Sequence, residues 1–130
     1  MQKILVVEDE VALSKFYRFK LEQAGFAVKI VLNGKEAIDA LHEFFPDLII
    51  LDLILPVQDG FVTLKKLKAN KKWEHIPTLV ATNLGQKQDI DVVMKLGASD
   101  YMVKTETTSQ DIVTKVTQIL KKSSTVQNIS

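Results

Sequence analysis

Short apolar runs alternate five times along the chain with segments of helical periodicity. The runs are apolar on successive residues and not on every second one, as expected for strands covered on both faces of a parallel sheet. They predict five strands: Lys3–Val7, Ala27–Val31, Leu48–Leu51, Thr78–Ala81 and Asp100–Val103. Because each strand is followed by a helical segment, the pattern predicts a doubly wound α/β fold around one parallel sheet.

The helical segments carry start and stop signals. N-terminal caps are predicted at Asn33 with Glu36, at Asp59, and at Thr108 with Asp111. Gly25 and Gly97 stand where the first and fourth helices would end. We expect the fifth helix to end at Lys121 and Lys122, since positive charge is favourable in the last turn of a helix.

The length of 130 residues suits one domain, predicted over residues 1–122 with a polar C-terminal tail over residues 123–130. No apolar run approaches the roughly 18–20 residues that span a bilayer, so we expect no contact with a membrane. The first apolar run, Ile4–Val7, is too short for a signal peptide. The absence of cysteine excludes disulfides and thiolate metal sites, and together these features predict a cytoplasmic protein.

The charges nearly balance, with 17 Lys and Arg against 16 Asp and Glu and a net charge of +1. This balance gives no support for direct nucleic-acid binding. One segment is locally basic, through Lys65, Lys66, Lys68, Lys71 and Lys72. A solvated helix face explains it more simply than a binding patch. His42 and His75 lie far apart in sequence and suggest no metal pair.

Polar residues directly follow most of the predicted strands. They are Glu8, Asp9 and Glu10 after the first strand, Asp52 after the third, Thr82 and Asn83 after the fourth, and Lys104 after the fifth. In an open parallel sheet the carboxyl ends of the strands form the binding rim, so we expect these side chains to converge there.

Such a rim suits phosphoryl chemistry with a metal ion. Carboxylates crowded together repel one another unless a cation lies among them, and an all-oxygen set favours Mg²⁺ or Mn²⁺. Asp52 could then act as a nucleophile that forms an aspartyl phosphate. Thr82 and Lys104 would offer a hydroxyl and an ammonium to the phosphoryl oxygens. Each residue alone could be a helix cap, a turn residue or a surface charge, so the prediction depends on their joint placement.

Four motifs occur in order along the chain. They are Val6-Val7-Glu8-Asp9-Glu10, Asp52-Leu53-Ile54-Leu55-Pro56-Val57-Gln58-Asp59-Gly60, Ala81-Thr82, and Gly97-Ala98-Ser99-Asp100-Tyr101-Met102-Val103-Lys104. With these motifs the chain resembles the receiver domains of two-component response regulators, over about residues 2–120. The resemblance implies a flavodoxin-like (βα)5 fold with strand order 2-1-3-4-5.

The resemblance also implies a role for each residue of the rim. Asp52 would accept a phosphoryl group from a sensor histidine kinase or a phosphotransfer protein. Glu8, Asp9, Asp52 and the backbone carbonyl of Ile54 would hold Mg²⁺, and Lys104 would pair with the phosphoryl group. The domain would promote its own phosphorylation and slow dephosphorylation, and would not be a turnover enzyme.

Thr82 and Tyr101 would form the switch, the first moving to bond the phosphoryl group and the second swinging inward behind it. The fourth helix, fifth strand and fifth helix would then present a changed face to a downstream protein. No segment after the fifth helix has the length of a DNA-binding domain, so we expect output by protein contact. The receiver portion of a longer regulator remains an alternative.

The chain departs from the family's pattern at three positions. Thr105 follows Lys104 where most relatives have a proline, usually reached through a cis bond. A cis bond before another residue costs about 2.5–4 kcal/mol, which leaves the aim of Lys104 open. Ile54 and Leu84 occupy positions that flank the path of the attacking water, and both are apolar. We therefore expect a long-lived aspartyl phosphate.

Three other functions deserve comparison. A flavodoxin-like electron carrier needs a phosphate-holding loop after the first strand, where this chain has acids. A phosphatase with an Asp nucleophile usually needs a second acid nearby, whereas Asp52 is followed by Leu53, Ile54 and Leu55. A pseudo-receiver adaptor that is never phosphorylated stays open because of Thr105.

Overall fold

Within residues 1–129, which the computed structural model describes, with side chains described to residue 123, five strands alternate with five helices. The elements are β1 (Lys3–Val7), α1 (Val11–Gln23), β2 (Ala27–Val31), α2 (Gly34–Ala40), β3 (Leu48–Leu51), α3 (Gly60–Ala69), β4 (Thr78–Thr82), α4 (Lys87–Leu96), β5 (Asp100–Val103) and α5 (Ser109–Ile129). A short 3-10 helix, Lys104–Glu106, joins β5 to α5. The predicted strands are confirmed, and β4 is one residue longer than expected.

All strand pairs are parallel, and the sheet has the order β2-β1-β3-β4-β5. This confirms the predicted fold and order. The register aligns Val7 of β1 with Leu51 of β3, and Thr82 of β4 with Val103 of β5. The residues that follow these strands therefore emerge at one edge of the sheet.

Two hydrophobic layers cover the sheet, which explains why the strands are apolar on successive positions. One layer contains alternate strand residues with side chains from α2, α3 and α4: Leu5, Val7, Ile49, Leu51, Val80, Ala37, Leu64, Leu67 and Val93. The other contains the remaining strand residues with side chains from α1 and α5: Ile4, Val6, Leu48, Ile50, Leu79, Ala81, Tyr17, Leu21, Ile112 and Val116.

The predicted caps form as expected. Asn33 accepts a hydrogen bond from the Glu36 backbone at 2.9 Å, and Asp59 accepts one from Val62 at 2.9 Å. Thr108 and Asp111 exchange side-chain to backbone bonds at 3.2 and 2.9 Å. Two of the turns that follow helices contain a glycine with positive φ: Gly25 (99°) after α1 and Gly97 (110°) after α4.

The end of α5 differs from the prediction. The helix does not stop at Lys121 and Lys122 but continues to Ile129. The segment 123–129 contains neither Gly nor Pro, so nothing in it breaks a helix that is already nucleated, and extension costs little. Position 130 lies outside the described residues, and the domain division at residue 122 stays a prediction.

Among the described residues, no helix combines the length and apolar character needed to cross a membrane.

Gly60 allows α3 to begin in direct contact with the backbone that follows β3. Its amide donates to the Leu53 carbonyl at 2.9 Å. A Cβ at this position would lie 2.1 Å from the Asp52 carbonyl oxygen and 2.5 Å from the Leu53 Cα. Because these are backbone atoms, they cannot rotate away.

Gly60→Ala should therefore lower the free energy of unfolding by about 2–3 kcal/mol, the upper part of the usual range for overpacking. Gly85→Ala is the matched control, since a Cβ there would meet only the two Val103 methyl groups, at 3.4 and 3.6 Å. The control should change stability by less than about 0.5 kcal/mol. Urea unfolding followed by circular dichroism measures both, and equal effects would contradict the packing argument.

Candidate functional site

The edge formed by the carboxyl ends of β1, β3, β4 and β5 brings together the polar residues predicted from sequence. Glu8 follows β1 and Asp52 follows β3, directly after the aligned pair Val7 and Leu51. Lys104 follows β5, whose last residue is aligned with the last residue of β4. In this register β4 and β5 extend two residues past the end of β3, so Lys104 lies beyond the level of Asp52 and its long side chain reaches back to the carboxylates.

Three carboxylates meet at this edge. One oxygen each from Glu8, Asp9 and Asp52 lies within 4.8 Å of the others. Glu8 is only 2% exposed and Asp52 6%, whereas Asp9 is exposed. Two carboxylates of the cluster, those of Glu8 and Asp52, are thus buried, and solvent reaches the cluster at Asp9.

Lys104 is the cation in contact with this cluster. Its Nζ donates hydrogen bonds to Glu8 Oε1 and, at 2.8 Å, to Asp52 Oδ2. Burial lowers the pKa of the Lys104 ammonium, but the hydrogen bonds to Asp52 and Glu8 outweigh it and hold that pKa above its usual value. Burial also raises the pKa of the Glu8 carboxyl, which the bond from Lys104 offsets only in part. Lys104 therefore carries a full positive charge at neutral pH.

The replacement of proline by Thr105 does not turn Lys104 away from the cluster. Within residues 1–129 every peptide bond is trans, and the chain continues from Lys104 into the short 3-10 helix. The Thr107 hydroxyl donates to the Val103 carbonyl at 2.6 Å, which ties the start of this turn to the end of β5. The direction of the Lys104 side chain, which the sequence left open, is therefore toward the acids: Lys104 contacts both buried carboxylates.

The other oxygens of the two buried carboxylates are held by the local backbone. Asp52 Oδ1 accepts from the Ile54 amide at 3.3 Å, and Glu8 Oε2 accepts from the Glu10 amide at 3.1 Å. The Ile54 side chain is exposed. These contacts fix the orientation of both carboxylates before any ligand arrives.

Thr82 and Tyr101 lie on strands that border the cluster. Thr82 is buried at the end of β4, and its hydroxyl oxygen accepts a hydrogen bond from the Leu84 amide at 3.2 Å. Tyr101 is half-buried in β5 and packs, like Leu84, against the layer that contains Val93 of α4. A movement of the Thr82 hydroxyl would therefore disturb the backbone at Leu84.

Tyr17 of α1 is related to the site in a way that the sequence does not indicate. It is buried, and burial together with the negative charges of Glu8, Asp52 and Glu10 raises the pKa of its phenol. The phenol thus lies within electrostatic reach of the acids. Helical spacing could not reveal this, because it shows which face a side chain occupies and not what lies beyond it.

The loop between β3 and α3 is strained at one residue. Val57 has φ of 64° and is 80% exposed, while the Gln58 amide donates to the Pro56 carbonyl at 2.6 Å across it. Positive φ is unfavourable for a β-branched residue, since its side chain crowds the backbone. Hydrogen bonds hold the loop at Asp52 and at Gly60, so the backbone at Val57 cannot relax by moving either end of the loop.

Comparison with known proteins decides the family. The sequence matches the family described as response regulator receiver domain over residues 4–117, a span that includes every residue of the cluster. The chain belongs to the response-regulator receiver family. The predicted class is confirmed: this receiver is a signalling domain of the two-component type.

Two curated relatives are similar to this receiver. The phosphate regulon transcriptional regulatory protein PhoB of Rhizobium meliloti is 37% identical over 122 residues, which is 94% of this chain and 53% of the relative. The DNA-binding dual master transcriptional regulator RpaA of Synechocystis is 38% identical over 104 residues, which is 80% of this chain and 43% of the relative. The receiver thus spans about half the length of the curated relatives it matches.

Solved receiver structures have the same fold. The signal receiver domain of a histidine kinase from Syntrophus aciditrophicus is 30% identical, with a TM-score of 0.86 and 94% and 92% of the two chains covered. A two-component response regulator from Clostridium difficile is 26% identical, with a TM-score of 0.86 and 93% and 97% covered.

The strain at Val57 gives a prediction for stability. Val57→Asn should raise the free energy of unfolding by about 1 kcal/mol, because asparagine tolerates the left-handed region that costs other residues about 1–2 kcal/mol. Val62→Asn is the control, since Val62 is 41% exposed but lies in the helix α3. Urea denaturation should show a gain only for position 57. If Val57→Asn is no more stable than the parent, the strain is not costly.

Proposed function

We propose that this receiver accepts a phosphoryl group on Asp52, from the phosphohistidine of a sensor histidine kinase or a phosphotransfer protein, with Mg²⁺ beside it. One observation carries the proposal. Lys104 contacts the buried carboxylates of Asp52 and Glu8, and the exposed carboxylate of Asp9 completes a cluster within 4.8 Å. This arrangement supplies a nucleophile, a fixed cation and oxygen ligands at one solvent-accessible point.

The donor set fits a divalent cation. With Glu8, Asp9 and Asp52 ionised, three negative charges face the single positive charge of Lys104, which leaves two negative charges uncompensated. Carboxylate oxygens are the ligands that Mg²⁺ and Mn²⁺ prefer, and the backbone carbonyl of Ile54 would complete the protein ligands. When bound, the metal would neutralise charge on the transferring phosphoryl group.

The transfer itself requires an anionic nucleophile to approach an anionic phosphoryl group. In the step, a carboxylate oxygen of Asp52 forms a bond to phosphorus while the bond from phosphorus to the histidine nitrogen breaks, and the released imidazole takes up a proton. The Lys104 ammonium, already 2.8 Å from Asp52, reduces the repulsion between the two anions. The Ile54 amide holds the other Asp52 oxygen in place.

The switch would begin at Thr82. Its hydroxyl oxygen accepts from the Leu84 amide, and its proton can be donated to a phosphoryl oxygen. We expect Thr82 to move toward the phosphoryl group, the backbone at Leu84 to follow, and Tyr101 to turn inward. Phosphorylation would then favour the active arrangement because only that arrangement makes these bonds.

The output would be a changed α4-β5-α5 face that contacts a downstream protein. The relatives PhoB and RpaA are named as transcriptional regulators and are about twice as long as the matched region. If this receiver belongs to a longer regulator, the same face would contact another part of that protein. The near-balanced charge favours protein contact over direct nucleic-acid binding by the receiver. A complete site favours phosphorylation over the adaptor alternative.

The first test is phosphorylation with acetyl phosphate. Intact-mass spectrometry should show a gain of one phosphoryl group that requires Mg²⁺ and that disappears in Asp52→Asn. Asp91→Asn, an exposed acid on α4, is the matched control and should be phosphorylated like the parent. No gain in folded protein under any condition would contradict the proposal and favour the adaptor.

The second test concerns the lifetime of the aspartyl phosphate. Ile54 and Leu84 cannot orient a water by hydrogen bonding, so we expect slow hydrolysis. Combining Ile54→Asn with Leu84→Glu should make decay roughly tenfold faster, since groups that assist proton transfer contribute this much or more. The control combines Ile54→Val with Leu84→Met, which keeps both positions apolar. Equal decay in the two double variants, measured by intact mass over time, would refute the explanation.

A further inference from the structure

A cavity lies at the end of the sheet opposite the acid cluster. It has a volume of about 360 Å³ and is formed by the segment between α2 and β3 and the segment between α3 and β4. Asp52 follows the carboxyl end of β3, whereas Pro46 of the cavity precedes the amino end of the same strand. The cavity is thus separate from the proposed phosphorylation site.

The floor of the cavity is apolar and aromatic. Trp73, the single tryptophan of the chain, is 7% exposed, and Leu41 and Ile76 beside it are buried. The His42 ring packs edge-on against Trp73 with 5.4 Å between the ring centroids. At the mouth the Phe45 side chain is 72% exposed, so a ligand that enters the cavity would cover an aromatic ring that now faces water.

The ionisable side chains that line the cavity are all basic residues. Lys72, His42 and His75 offer an ammonium and two imidazoles, and none of the described residues that line the cavity is acidic. Outside the lining, the Lys3 ammonium lies 5.9 Å from the centre of the Phe44 ring. An aromatic floor with cationic and N–H donor groups at its border is complementary to an aromatic ring that carries a negative charge.

The walls are held in place by hydrogen bonds. Lys68 Nζ donates to the carbonyls of Glu74 and Ile76 at 3.1 and 2.8 Å, which fixes the segment that contains Trp73. On the other wall the Phe44 amide donates to the Ala40 carbonyl at 2.8 Å. The cavity is therefore preformed, and a ligand need not order it on binding.

We propose that this cavity binds a small aromatic carboxylate, with its ring against Trp73 and Phe45 and its carboxylate toward Lys72 and the two histidines. The site is independent of the chemistry at Asp52. It would give the receiver a second input, a small molecule bound at the end of the sheet far from the phosphoacceptor.

Phenylacetate is the probe, and the single indole N–H signal of Trp73 in an NMR spectrum of the ¹⁵N-labelled chain is the readout. The signal should shift in a saturable way, with a dissociation constant of millimolar order or tighter. Two control ligands separate ring from charge: phenylacetamide is neutral and acetate lacks the ring. Both should bind at least about fivefold more weakly, because each loses one of the two interactions.

Variants locate the site. Phe45→Ala and Lys72→Gln should each weaken phenylacetate binding about fivefold. Phe19→Ala and Lys71→Gln, exposed residues that do not line the cavity, should leave it unchanged. All four positions are at the surface, so the variants should fold.

Three results would overturn the proposal. The first is no shift of the Trp73 signal up to the solubility limit of phenylacetate. The second is equal affinity for phenylacetamide, which would show that charge plays no part. The third is a Trp73 signal that responds to protein concentration and not to phenylacetate, which would show that a second copy of the chain covers the cavity.

Discussion

Glu8 and Asp52 are carboxylates with almost no exposure to water, and both bind the ammonium of Lys104. Removing charges from water costs several kcal/mol per ion, of the order of a domain's whole stability, unless each is paired and hydrogen-bonded. The ion pairs therefore require the ends of β1, β3 and β5 to meet at one edge of the sheet, and the observed strand order and register provide this. The same contacts leave a negative cluster with an exposed opening at Asp9, so the arrangement that satisfies the buried charges also keeps carboxylate oxygens accessible from solvent.

The strands were predictable almost to the residue, because a strand covered on both faces has a continuous run of apolar residues in the sequence. The strand order was not contained in that pattern and came from the family resemblance. The convergence of Glu8, Asp52 and Lys104 followed from parallel topology alone, since equivalent strand ends meet at one edge. The sequence could not show that Tyr17 lies within electrostatic reach of the acids, because this depends on how α1 packs on the sheet. The end of α5 also carried no signal, as its last residues neither favour nor break a helix.

The sequence also gives no sign that His42 and His75 line the same cavity. They are separated by 32 intervening residues, and nothing in their sequence neighbourhoods connects them. They line one cavity because each belongs to a segment that enters one of two adjacent strands, β3 and β4, at the same end of the sheet. A parallel sheet thus brings residues that are distant in sequence together at two edges, one at the carboxyl ends of the strands and one at their amino ends. Its carboxyl edge is visible in sequence through the acids that follow the strands, whereas its amino edge is marked by ordinary core and surface residues.

The contact of Gly60 with the peptide group of Asp52 has a consequence for how this region can vary in length. Helix α3 begins against the backbone of Asp52, with no side chain between them. A residue inserted between Asp52 and Gly60 would have to bulge outward, since neither end of the segment can shift along the sheet. Length changes in this segment would therefore enlarge the exposed loop around Val57 and leave the acid cluster where it is.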